Sequence, residues 1–440
     1  MKQNLPKSAW PKVRKFLTDV HLWLGLGSGL IVLAICFSGT IYVYNTEIRE
    51  LAQPELYRVE SDAGAAKLSP EDIITRVSNE TGGKVISIKI PSDPERSYVL
   101  SVRKEEEEGK GEKKEGAGKG ERERFDKKEG GNGVKKGEGQ DKSAAGAAAP
   151  AAPPRTQYFV NPYTGEILGN SQDKTAVSVF MGYLFSLHRW LLLDKIKEPL
   201  FGELPNKTLG SYISGTATIL FTLGVITGFV IWFPHRVSNW KQGLKVKWNA
   251  NWKRVNHDLH NSLGFYSCIF LFMMGITGPQ WSFPWYREAL RKTLGTYQPA
   301  DAPKPEAPKS AMQPGLSLKP LSISDYIKAA DQSLKYKGDN LVTLAADSSE
   351  AIAVSKTRTG FFAPVAADKL FLDQYSGKVL QTDIFREKPI NERISNSIKA
   401  IHVGDVYGSF TKLLYFLACL VATSLPITGT MIWLNKLKKR

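Results

Sequence analysis

The sequence predicts an α-helical polytopic membrane protein, with four transmembrane helices carrying two α+β domains, laid out as two halves of one internal repeat. Three observations predict it. Four apolar runs, about 16–45, 209–233, 259–280 and 409–434, each reach the length of a spanning helix and are nearly free of charge inside. Positive charge collects in the segments that four spans would leave on one side. One pattern of histidine, glycine and terminal hydroxyl occurs twice.

The chain has 440 residues, too many for one ordinary domain, and a formal net charge of +16. Residues 1–15 hold five Lys/Arg, 234–256 hold six and 435–440 hold four, with no acid in any of the three. That is 15 of the 16 excess charges. Such sidedness puts both termini and the middle loop in the cytoplasm, and 46–208 and 281–408 outside. Membrane lipid is the partner this charge fits; no nucleic acid is expected, because no aromatic–basic module accompanies it. The N-terminus starts like a signal peptide, but its apolar run is too long and no small-residue cleavage site follows, so it reads as a retained anchor. Cys36, Cys268 and Cys419 each fall inside an apolar run without paired spacing, which fits small packing residues.

The repeated pattern is His21-Leu-Trp-Leu-Gly25 leading to Ser38-Gly39, and His260-Asn-Ser-Leu-Gly264 leading to Thr277-Gly278. Histidine to hydroxyl is 17 positions in both, roughly 26 Å of helix against a bilayer core of about 30 Å. Each histidine therefore sits at one mouth of a span. Gly25 and Gly264 share the face of their histidine and would let a large flat ligand approach the backbone. Close packing of helices on small residues is the competing use.

Taken in order, 1–15 is a basic tail and 16–45 the first span. Residues 46–173 form the first outer domain. In it Ser69 caps a helix to about Glu80, Gly82-Gly83 ends that helix, and 84–90 and 97–103 read as strands. Residues 104–154 turn to Glu/Lys/Gly repeats and then Ala/Pro, too poor in apolar surface to order, so they read as a disordered insert. A strand–turn–strand hairpin follows around Asn161-Pro-Tyr-Thr-Gly165. Residues 174–208 carry an outer-surface helix with Phe185-Ser-Leu-His188-Arg-Trp-Leu. The second span, 209–233, ends Thr227-Gly-Phe-Val-Ile-Trp232. The basic loop 234–258 leads to the third span, 259–280, which Pro279 and Pro284 break, leaving Trp281, Phe283, Trp285 and Tyr286 as an interfacial belt. The second outer domain, 281–390, contains a Pro/Ala linker over 299–314, a helix over 322–335, a strand at 350–355 and a hairpin over 369–380 that turns at Tyr375-Ser-Gly377. A surface helix at 391–408 holds Ile398-Lys-Ala-Ile-His402. The fourth span, 409–434, ends Thr428-Gly-Thr-Met-Ile-Trp433, and 435–440 is a basic tail.

The His-x3-Gly span ending in Ser/Thr-Gly, the outer domain closing on Tyr-[Thr/Ser]-Gly, and the Leu-His-Arg-Trp-Leu helix together resemble the PepSY-associated transmembrane helix family. The likeness covers nearly the whole chain except 104–154, an insert that departs from the usual family length and touches none of these histidines. It implies two periplasmic PepSY-like domains on a multi-pass protein of the bacterial inner membrane. It also implies two b-type haems (haem b) with His21, His188, His260 and His402 as axial ligands to iron. The activity it implies is a haem-dependent ferric-siderophore reductase in iron uptake. The acceptor is a ferric siderophore, the donor a cytoplasmic or quinol reductant that no motif identifies, and other siderophore-uptake proteins are partners.

The residues support this on their own terms. A bis-histidine haem needs two imidazoles on different helices facing one cavity, with small residues to admit the porphyrin. The two-half plan supplies an inner pair, His21 with His260, and an outer pair, His188 with His402. A single histidine at a span end is ordinarily an interfacial polar residue; four at matching positions in two halves is the less ordinary case. His257 competes with His260 as a ligand, though only His260 has glycine at +4. His235, after Pro234, reads as a surface residue. No dinucleotide fingerprint, phosphate loop or nucleophile constellation is present, so no catalytic acid or base is assigned. Two other readings compete. A non-redox accessory or transport subunit of siderophore uptake would want polar groups in mid-span, and these are scarce. A regulatory module binding an envelope partner would need the domains but not the histidines.

Overall fold

The computed structural model describes residues 10–60, 66–104, 155–233, 240–299, 301–303, 306–310 and 319–438. The disordered insert expected over 104–154 lies, beyond Lys104, outside the described residues, as does His235.

Along the chain the helices are α1 (Trp10–Tyr42), α2 (Asn45–Ala52), α3 (Pro54–Tyr57), α4 (Pro70–Thr81), α5 (Ala176–Trp190), α6 (Asn206–Trp232), α7 (Trp240–Gly243), α8 (Trp252–Thr277), α9 (Pro284–Thr293), α10 (Ile323–Ser333), α11 (Ile390–Asn396), α12 (Ile398–Val403) and α13 (Gly408–Leu437). Among the described residues α1, α6, α8 with its extension to Trp281, and α13 are long and apolar enough to cross a membrane. The shortest, α6, has 27 residues, roughly 40 Å of helix against a core of about 30 Å. The four predicted spans fall on these helices. α8 starts earlier than its apolar run because its first turns, Trp252-Lys-Arg-Val-Asn, are polar yet well capped by the Asn251 side chain.

α1 packs against α6 and α13, and so does α8. The spans thus form a ring in which α1 and α8 stand diagonally across the bundle. α5 lies against α1 and α6, and α12 lies against α8.

The strands are β1 (Gly83–Ile90), β2 (Tyr98–Lys104), β3 (Arg155–Val160), β4 (Ile167–Asn170), β5 (Gly338–Thr343), β6 (Ile352–Arg358), β7 (Asp368–Leu372) and β8 (Val379–Asp383). They form one antiparallel sheet in the order β4-β3-β2-β1-β5-β6-β7-β8. The two outer units expected as separate domains therefore meet edge to edge, with Ser87 opposite Thr343 and Ile90 opposite Asn340. An open strand edge is a row of unpaired N–H and C=O groups; pairing β1 with β5 satisfies both. The units also share one core. Ile73 and Val77 of α4, Tyr326 and Ala330 of α10, and Ile88, Leu100, Val342, Val354 and Leu370 of the strands pack together, all buried. Each large apolar side chain there contributes roughly 1.5–3 kcal/mol. Ser69 and Ser322 cap their helices by accepting the N–H of Asp72 and Asp325, and left-handed Gly82 ends α4.

Several elements were not predicted: the short helices α2, α3 and α7, and also α9 and β5. β5 reads Gly-Asp-Asn-Leu-Val-Thr, and its polar half hides a strand. α9 begins at Pro284 in the favourable first-turn position, where the aromatic residues point to a belt instead. The surface helix of 391–408 is two short helices, α11 and α12. The sheet sits at the end of the bundle where α13 begins, with the Phe410 N–H donating to the Phe361 carbonyl at 3.2 Å. We call this the sheet end and the opposite one the loop end.

Candidate functional site

The bundle geometry brings the four histidines together as two pairs. At the loop end His21 of α1 faces His260 of α8, with ring centroids 6.3 Å apart and planes at 76°. At the sheet end His188 of α5 faces His402 of α12, at 6.2 Å and 66°. About 2 Å per metal–nitrogen bond, plus about 1 Å from ring centre to nitrogen on each side, puts two trans imidazoles about 6 Å apart on one metal. Both pairs have that separation. His188 reaches the Ile35 carbonyl of α1 and His402 the Met274 carbonyl of α8. Ile35 and Met274 each lie 14 residues beyond His21 and His260, so the two pairs are about 21 Å apart along the bundle.

Each ring is seated on the Ser/Thr-Gly step of a span in its own half of the chain. A Cβ on Gly228 would lie 3.0 Å from His21 Cε1, on Gly39 3.1 Å from His188 Cε1, on Gly429 3.2 Å from His260 Cε1, and on Gly278 3.4 Å from His402 Cε1. The glycines are absent side chains that let the rings lie on the helix surface. Neighbouring hydroxyls and backbone carbonyls do the second job. His21 Nδ1 bonds the Gly224 carbonyl at 3.0 Å and Thr227 Oγ1 at 3.2 Å. His260 Nδ1 bonds Thr428 Oγ1 at 2.9 Å. His188 Nδ1 bonds the Ile35 carbonyl at 3.0 Å. His402 Nδ1 bonds Thr277 Oγ1 at 3.0 Å and the Met274 carbonyl at 3.2 Å.

These partners fix the tautomer. A carbonyl only accepts, so Nδ1 carries the proton in His21, His188 and His402. Thr428 Oγ1 already donates to the Ser424 carbonyl at 3.0 Å, so it too accepts, and His260 is assigned the same tautomer. All four rings then keep the Nε2 lone pair for a metal, with Nδ1–H held by a backbone or hydroxyl oxygen. α5 and α12 lie outside the spans, and there burial pushes both imidazoles down, His402 to about 3, with the neighbouring His188 adding to the effect. The neutral form that binds metal is thus the stable one.

A cavity of ≈ 130 Å³ lies between the sheet-end rings, lined among others by Val32, Cys36, Gly39, Gly215 and Trp281. Trp281 sets its ring edge-on to His402, 4.9 Å centroid to centroid. Arg189, beside His188, has a buried Nε without a hydrogen-bond partner among the described residues. At the loop end a Cβ on Gly25 would meet nothing within 4 Å, and on Gly264 only Leu425 Cδ2 at 3.8 Å. Neither predicted glycine seats a histidine; both leave room beside one. His257 is half-exposed and turned to Asp258 and Asn261, so His260 is the residue that faces His21.

Residues 18–436 match the family model for the PepSY-associated TM region. The chain belongs to this family. No curated protein matches it. As a PepSY-associated TM protein it carries the family's spans and sheet over nearly its whole described length.

The donor set fits a macrocycle better than a bare ion. Among the described residues no three His, Cys, Asp or Glu cluster to hold a metal, and each pair offers two nitrogens where a structural zinc takes four ligands. A porphyrin would supply the ligands that each pair lacks. The unpartnered Arg189 Nε fits the carboxylate edge such a group carries. Sequence reasoning singled out the Ser/Thr-Gly steps as span endings but missed that they seat the histidines. The signal was partial: Ser/Thr-Gly occurs six times in the four spans, and Ser28-Gly29 and Ser214-Gly215 seat no histidine, so the motif alone does not pick out the four seats.

Proposed function

We propose that this PepSY-associated TM protein is a di-haem reductase of a bacterial inner membrane, passing electrons across the bilayer to a ferric siderophore at the sheet end. The carrying observation is the two imidazole pairs at metal-spanning separation, each ring with Nδ1 engaged and Nε2 available. A b-type haem bound between each pair supplies one-electron ferric/ferrous chemistry.

The chain's residues do the rest. His21 with His260, and His188 with His402, would hold the two haem irons through Nε2. Their Nδ1–H bonds orient the rings and raise their basicity. Gly25 and Gly264 keep space open at the loop end, and Arg189 meets a carboxylate at the sheet end. α1 and α8, on facing diagonals, carry the loop-end ligands and seat the sheet-end ones, much as bundles hold cofactors between facing helices. The positive charge of the tails and middle loop sets the loop end in the cytoplasm, where a soluble or quinol reductant delivers electrons, and the sheet in the periplasm. The two halves act as copies of one plan, each giving one ligand to each site. Because transfer is outer-sphere, no acid–base residue is needed. The accessory and regulatory readings leave the four matched imidazoles without a use.

The test is a redox difference spectrum of the purified protein with a haem count. Two low-spin bis-histidine haems per chain, reoxidised by a ferric chelate, are expected; a protein that holds no reducible haem overturns the reading.

A further inference from the structure

A second and larger cavity, ≈ 700 Å³, lies on the other side of α12 and falls in the size range of ligand sites, about 300–1,000 Å³. α11, α12 and the loop after β8 wall it. Val403 lines both this pocket and the histidine cavity. A molecule in the pocket is thus one side chain from the pair His188–His402.

Its wall is mixed in a particular way. Five cations line it, Arg358, Arg386, Lys388, Arg393 and Lys399, against two carboxylates, Asp368 and Asp405. Two of the five cations are offset. Asp368 accepts the Tyr336 hydroxyl at 2.7 Å and the Phe385 N–H at 2.9 Å, and pairs with Arg358 at 3.8 Å. Burial pushes the Asp405 carboxyl up, toward its neutral form. Lys388 is tied to Asp383 at 2.7 Å. Arg393 is the informative group: its Nε is buried and has no hydrogen-bond partner among the described residues. A buried guanidinium N–H without an acceptor is costly, and an anion in the pocket would satisfy it. Exposed apolar side chains, Val365, Ile390 (73 % exposed), Ile394 and Tyr407, complete the wall. Cations beside exposed apolar surface suit an organic anion rather than a bare inorganic one.

We propose that this pocket is the acceptor site and that it selects ferric chelates of net negative charge, with Arg393 and Lys399 as its specificity residues. The proposal rests on the reductase reading for its purpose and on the pocket alone for its binding. One electron passes from the sheet-end centre to the chelated Fe(III), which becomes Fe(II), while the centre's iron goes from ferrous to ferric; no bond to the protein forms or breaks. The chelate gains one unit of negative charge, which the cations tolerate.

The experiment measures binding without turnover. The full-length detergent-solubilised protein is titrated with two redox-inert probes, gallium(III) citrate as the anion and a neutral gallium(III) tris-hydroxamate. Gallium citrate is expected to bind more weakly as salt rises and roughly tenfold or more weakly in R393Q/K399Q, the scale of lost charge-assisted hydrogen bonds; the neutral probe responds to neither. R393K, keeping charge but not the planar fork, falls between. An unchanged haem spectrum shows that the variants fold, and slower reoxidation by ferric citrate in the same variants joins the pocket to the chemistry. Gallium citrate that fails to bind, or binds R393Q/K399Q unchanged, overturns the pocket. Gallium citrate that binds a protein without haem sinks the reductase reading and leaves the pocket standing.

Discussion

The two histidine pairs use the same seat but are carried differently. At the loop end both ligands sit inside long spans, His21 in α1 and His260 in α8. At the sheet end both sit on helices outside the spans, His188 in the 15-residue α5 and His402 in the six-residue α12. The second pair is also the one flanked by Trp281, Arg189 and the cationic pocket. The first is held by the bundle itself and the second by peripheral pieces docked on it.

The comparison breaks most sharply at the ligands. Replacing His402 or His188 by Ala should cut the haem count from two to one and abolish chelate reduction, while the surviving loop-end haem can still be reduced. Replacing His21 or His260 by Ala should also lose one haem, and should loosen the bundle more, because these ligands belong to the spans themselves. Haem count and thermal midpoint, read together, distinguish the two. Equal destabilisation by all four would mean that the carriers do not matter.

Next in size are the glycines. Leucine at Gly39 or Gly228 drives a side chain into the ring above it, and the site it serves should empty. Alanine grades the effect: Gly228→Ala, with its Cβ 3.0 Å from His21, should weaken haem retention measurably, and Gly278→Ala, whose Cβ meets Thr218 at 3.2 Å before His402 at 3.4 Å, should press on the packing of α6 more than on the ring. Gly25→Leu is the sharper case. Its Cβ meets no protein atom within 4 Å, so the protein should fold, and loss of the loop-end haem would show that the open space belongs to the cofactor. If haem is retained, the open space beside Gly25 belongs to lipid.

How much of this could be read beforehand follows from which signals are local. The four spans are runs of apolar residues, and the pairing His21–His260 follows from two copies of one 17-residue spacing. The junction of β1 with β5 joins residues some 250 positions apart, and no local pattern announces it. The same holds for the seats. Ser/Thr-Gly is visible at the end of each span, but His21 meets Gly224 and Thr227 across about 200 residues, and only the packing of α1 on α6 shows it. Trp281 reads as a belt residue because it follows an apolar run. The short turn at Pro279–Trp281 also brings its ring against His402 while leaving it exposed. His257 and His260 differ by three positions, which on a helix is the difference between facing Asp258 and facing His21.

Smaller still are the hydroxyls. His260 relies on Thr428, with the Leu425 carbonyl acting from further off. His21 and His402 each have a backbone carbonyl beside their threonine. Thr428→Val should therefore weaken haem binding about 10–100-fold, the usual size for losing a partner behind a metal ligand. Thr227→Val and Thr277→Val should fall well short of that. Titration of the apo-protein with haem measures all three, and equal losses would mean that the carbonyls do not share the work.

Trp281→Leu is expected to be the smallest effect and the most discriminating. Its edge contact with His402 is of a kind worth about 0.5–1.5 kcal/mol, which corresponds to roughly two- to tenfold in affinity for the sheet-end haem. A tryptophan that only anchors the protein in the interface would leave haem affinity untouched and change membrane insertion instead. One that steadies the ligand ring would change the sheet-end affinity and leave the loop-end haem as it was. Resolving the two haems by their separate potentials in one titration decides between these, because a general loosening of the bundle would move both together.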